Sequence, residues 1–148
     1  MQSSTWCGAR RREGRARGSI RSTLQLASWL LGAGLTVAMG LIHLRLWLDG
    51  YRFIPTIGTL FISNAVCSGV LAATLLVAPA SLRRLVAVIT ALFTVGTLAG
   101  LILSLTVGLF SIHETVQAPL VPTTLIMESA SVLVLLTAAL PGRSRGDQ

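Results

Sequence analysis

Charged residues divide this chain into four long apolar runs. Leu24 to Ile42 carries no charge, nor do Phe53 to Leu82 and Leu85 to Ile112, while Thr115 to Gly142 carries only Glu128. A bilayer core about 30 Å thick needs about 20 helical residues, so each run is long enough to cross. The second and third runs exceed that length, yet neither holds two spans of at least about 17 residues. Proline marks several boundaries: Pro55 opens the second run and Pro79 closes it, Pro119 and Pro122 open the fourth, and Pro141-Gly142 end it. Proline fits a first helical turn and stops a helix elsewhere. The pattern predicts helices over 23–48, 55–78, 83–112 and 120–140, an all-α, four-helix transmembrane bundle spanning 23–141. Residues 1–22 read as a flexible basic tail and 142–148 as a short second tail.

Composition sharpens the class. Of 148 residues, 53% are hydrophobic and 11% charged, against roughly 25% charged in an average soluble domain. The mean hydropathy is +0.76. A soluble enzyme or a disordered segment does not fit these values. A net charge of +7 with a pI near 11.5 would suggest nucleic acid in a soluble protein. Here the charge belongs to the tails and loops of a membrane protein, and no nucleic-acid partner is expected. Cys7 lies in the basic tail and Cys67 in an apolar run, so no disulfide framework is expected.

Every one of the 12 basic residues is Arg, and their placement gives an orientation. Six lie before position 22, two in the loop at Arg83-Arg84 and two in the last tail, making ten on one side. Arg45 and Arg52 lie on the other. The positive-inside rule places both termini in the cytoplasm. Trp29 is expected at the inner interface, with Trp47 and Tyr51 at the outer one. The competing reading of the first run as a cleaved signal sequence fits poorly, because 19 apolar residues exceed the usual h-region of about 7–15.

Gly96, Gly100, Ser104 and Gly108 recur every four residues in the third run, and Gly32, Thr36 and Gly40 form a weaker series in the first. Small residues let helices approach closely in lipid. The expectation is packing within the bundle ahead of a homodimer face.

Ionisable residues within membrane segments are costly and are the best available pointers to function. Glu128 lies roughly 9 Å along the fourth helix from its start, with Thr124 at i−4 and Ser131 at i+3 on its face. A carboxyl there must be protonated or paired. Asn64 reaches a similar depth in the second helix, and Ser68 follows it one turn on. His43 lies near the outer end of the first helix. Arg45 points the other way and can meet Asp49 at i+4. His113 and Glu114 stand where the third helix leaves the membrane.

All these groups belong to the outer half, so His43, Asn64, His113, Glu114 and Glu128 form a candidate ligand pocket. Each also has a structural explanation, such as Glu128 joining helices through Asn64 or His43. Haem or metal ligation by His43 and His113 is the cofactor alternative; otherwise no cofactor is expected. The run His113-Glu114-Thr115-Val116-Gln117 fails the zinc-protease pattern, because Gln117 stands where a second His is needed. The loop from Asp49 to Pro55 reads as an interfacial anchor or a lid.

The stretch from His43 through Asp49-Gly50-Tyr51-Arg52-Phe53-Ile54-Pro55 to Asn64 resembles small uncharacterised four-helix bacterial integral membrane proteins. His113 to Pro119 and Met127-Glu128 are similar to that group too, and the resemblance covers about residues 24–140. It implies the architecture and a bacterial plasma-membrane location but no activity. Small multidrug-resistance exporters also have four helices and one key membrane Glu, though theirs lies on the first helix. With no nucleophile–base constellation and no phosphate-cradling loop, the chain reads as non-enzymatic. The expected function is binding of a small ligand, lipid or membrane-protein partner at the outer pocket. A redox protein and a proton-coupled exporter using Glu128 are the alternatives.

Overall fold

The computed structural model describes residues 4–108, 115–118 and 120–140, with side chains described from position 20 onward apart from residue 21. The described residues form four α-helices and one short 3-10 turn, with no strand among them. In chain order these are α1 (Ser4–Leu48), the turn Tyr51–Phe53, α2 (Pro55–Val77), α3 (Arg83–Thr106) and α4 (Val121–Ala139). Each helix contains a stretch long and apolar enough to cross a membrane: 27 residues in α1 from Ser22, then 23, 24 and 19.

Local chemistry explains most of the boundaries. Pro55 is the first residue of α2, and Pro122 lies in the first turn of α4. Ala78 precedes Pro79 and Leu140 precedes Pro141. Both are extended, at ψ 134 and ψ 135, because a following proline disfavours helical backbone. Two boundaries differ from those the sequence predicts. Helix α1 begins at Ser4 and not near 23, since no proline interrupts the basic segment and its Ala and Arg residues favour helix. Helix α3 ends at Thr106 and not at 112, because Gly108 takes φ +82, a left-handed conformation that terminates the helix.

Helix α1 packs along both α2 and α4, and α3 packs along α4, whereas α2 and α3 barely touch. The order around the bundle is therefore α2–α1–α4–α3, with its weak seam between α2 and α3. At the Arg83 end all four helices close on an apolar cluster of Trp29, Ala33, Leu75, Ala78, Val86, Ala87, Ala91, Leu135 and Ala138. Trp29 is 6% exposed there, so it serves as core and not as the interfacial aromatic expected from its position. Alanine predominates, which suits the close backbone approach that holds membrane helices together.

The two small-residue series behave oppositely. A Cβ placed on Gly40 would lie 2.8 Å from Cβ of Ser68, and one on Gly32 would lie 3.0 Å from Cδ2 of Leu135. These glycines are the close-approach points of α1 on α2 and on α4. A Cβ on Gly96 or Gly100 would meet nothing within 4 Å. The stronger series, expected to pack the bundle, leaves an opening at these two positions.

Candidate functional site

The opening is the mouth of a cavity of about 490 Å³ in the half of the bundle that carries the Tyr51–Phe53 turn. A volume of this size lies within the range of small-ligand pockets. Its walls come from all four helices: His43 from α1, Ile57 to Cys67 from α2, Leu92 to Ser104 from α3, and Val121, Thr124 and Glu128 from α4. The lining is mostly apolar, and Glu128 is its only acidic residue; no Arg or Lys joins it among the described residues.

Glu128 reaches this wall through the spacing of α4. The buried positions of that helix are Val121, Thr124, Glu128, Ser131, Leu135 and Ala138, steps of three and four that keep one stripe facing inward. The stripe is apolar beside the closed end and polar beside the cavity. Glu128 is 1% exposed, and neither carboxyl oxygen has a hydrogen-bond partner among the described residues; Ser131 Oγ is likewise unpartnered. Thr97 is near enough to interact with the carboxyl, but its hydroxyl donates to the Thr94 carbonyl at 2.8 Å. Thr124 is also committed, donating to the Leu120 carbonyl at 2.8 Å.

His43 is buried, and its Nδ1 lies 3.0 Å from the Met39 carbonyl oxygen. A carbonyl only accepts, so Nδ1 carries the proton, and the neutral ring keeps Nε2 as an acceptor. Phe61 holds the imidazole edge-on at 5.4 Å between ring centres. Asn64 Oδ1 accepts the Ser68 hydroxyl at 3.1 Å, which leaves the amide NH2 as a donor.

The turn packs on α1 and α2 at one end. Gly50, at φ +137, lets the chain reverse after α1. Gly58 then admits the Tyr51 carbonyl, to which a Cβ at that position would approach within 2.8 Å. Tyr51 packs against Phe61 with ring centres 4.8 Å apart and planes tilted by 45°, and forms part of the cavity wall, while Arg52 lies over the exposed Phe53 ring at 4.7 Å. The loop thus lines the cavity through Tyr51 and presents Arg52 and Phe53 outward. Arg45 and Asp49 pair at 2.9 Å on the surface, away from the site.

Three of the five sequence-predicted site residues, His43, Asn64 and Glu128, line one cavity. His113 and Glu114 lie outside the described residues, so the pairing of His43 with His113 has no geometry here. No group of three metal-ligating side chains occurs among the described residues. Sequence reasoning missed Phe61 and Phe93 as wall residues, and read Gly96, Gly100 and Ser104 as packing positions. Phe61 stands three residues before Asn64, on the same helical face, which is the signal that would have found it. Comparisons with protein-family models, curated proteins and solved structures find no match for this chain.

Proposed function

We propose that this chain is a non-enzymatic multi-pass protein of a bacterial plasma membrane that binds a small ligand in the cavity, with both termini cytoplasmic and the cavity half outermost. The observation that carries this reading is the Glu128 carboxyl, buried on a mostly apolar wall with no hydrogen-bond partner among the described residues. A buried carboxyl left unsatisfied is expensive. A carboxyl serving only to join helices would be expected to hydrogen-bond across them, and among the described residues Glu128 has only Thr97 of α3 nearby, whose hydroxyl is turned to the Thr94 carbonyl. Retaining it is explicable if a ligand supplies the missing interactions.

Native mass spectrometry of protein extracted gently from its own membranes tests the proposal. A small-molecule adduct on the wild-type chain, lost or strongly reduced in Glu128→Gln with insertion intact, is expected. An adduct of equal abundance in both forms removes Glu128 from the site.

The same carboxyl also favours a second reading, in which Glu128 exchanges a proton for a cationic substrate during export. Substrate binding to detergent-solubilised protein should then release protons, and Glu128→Gln should abolish the release.

A further inference from the structure

We infer that the cavity takes a lipophilic monocation, admitted sideways from the membrane through the seam between α2 and α3. This rests on the ligand-binding reading above and names its ligand class and route. Charge decides the head group. The lining holds one carboxyl and neither Arg nor Lys among the described residues, and its one imidazole, His43, has Nδ1 turned to the Met39 carbonyl. Neither Glu128 oxygen has a hydrogen-bond partner among the described residues, and the neutral His43 ring adds a further acceptor at Nε2 with Nδ1 committed to Met39. Two acceptor groups and no fixed positive charge suit a cation and disfavour an anion, which would meet the carboxyl without compensation. Tyr51, Phe61 and Phe93 contribute aromatic rings to the same wall, and ring faces attract cations.

The rest of the wall decides the body. Leu60, Leu92 and Leu101 line the space between the aromatic rings and the polar floor, so most of the ligand surface must be apolar. The route follows from the helix order. Helices α2 and α3 barely meet, and Gly96 and Gly100 place no side chain in the seam. Tyr51 of the turn lines the cavity on the α1–α2 side, away from the seam. A molecule dissolved in the bilayer enters the cavity through this seam, and a side-chain adjustment at the wall brings it to the buried Glu128 carboxyl.

Tetraphenylphosphonium and tetraphenylborate, nearly isosteric and opposite in charge, test the inference on the full chain in lipid nanodiscs, with empty discs subtracted. Equilibrium dialysis should show saturable phosphonium binding at one site per chain and no saturable borate binding. Glu128→Gln should weaken the phosphonium by about tenfold or more, and Glu128→Asp should restore part of the loss. Gly100→Leu, which fills the seam but keeps the carboxyl, should weaken it too. Equal binding of both ions, phosphonium binding unchanged in Glu128→Gln, or binding of neither ion overturns the inference. If the native adduct still depends on Glu128 in any of those cases, the pocket reading survives and only the cation class falls. If the adduct is also indifferent to Glu128, both fall.

Discussion

Glu128 lies on the inward stripe of α4 with neither oxygen hydrogen-bonded among the described residues. If it were structural glue, its removal would loosen the bundle. If it is held for a ligand, the ligand-free protein bears an uncompensated cost, because an unsatisfied buried polar group costs about 1–3 kcal/mol. Replacing such a group with an apolar one of similar volume is neutral or stabilising. Glu128→Met should therefore unfold at the same temperature as the wild type or a few degrees higher in ligand-free detergent solution. A fall of several degrees would return Glu128 to a structural role. Asn64 gives the opposite expectation, since it accepts from Ser68 at 3.1 Å. Asn64→Leu strands the buried Ser68 hydroxyl and should lower the unfolding temperature. The depth of both polar groups could be read from the sequence by counting residues from the helix starts. Whether each had a partner could not, because that depends on the neighbouring helices and not on the residue's own.

At the scale of the helices, glycine spacing carried less information than its regularity suggested. Gly40 sits against Ser68 and the Ala65 carbonyl, while Gly96 and Gly100 face open space. Gly40→Ala must push α1 from α2 and should cost about 1–3 kcal/mol, the usual penalty of overpacking. Gly96→Ala and Gly100→Ala should cost nothing measurable, and stability assays on the three purified variants separate the cases. Equal losses at all three positions would mean that α3 packs through its glycines after all. The helices themselves were legible, because proline and charge mark their ends in the chain. The end of α3 was not, since the left-handed Gly108 looks in sequence like one more member of a spaced series. Periodicity identifies a face of a helix but not what that face meets, so a stripe lining a cavity and a stripe lining a contact read alike.

Across the whole molecule, the closed and open halves explain how four helices can hold a cavity. The cluster around Trp29, Leu75, Val86 and Leu135 joins all four helices at one end. Along the other half α1 remains packed to α2 and α4 to α3, so the bundle parts where α2 would meet α3. The side of the membrane that the cavity half faces follows from charge. Ten arginines belong to the opposite side, and Arg45 and Arg52 to this one. By the positive-inside rule, the proposed orientation has the cavity half facing outward. Single-cysteine variants lacking Cys7 and Cys67 provide the test. Arg52 on the turn and Ser81 in the α2–α3 loop are both exposed. Arg52→Cys also removes an outer arginine, which biases the orientation further in the same direction. A membrane-impermeant maleimide applied to intact cells should modify Arg52→Cys readily and Ser81→Cys only after permeabilisation. The reverse pattern would turn the cavity half toward the cytoplasm. A cation taken from the membrane would then be met from the inner leaflet and not the outer one.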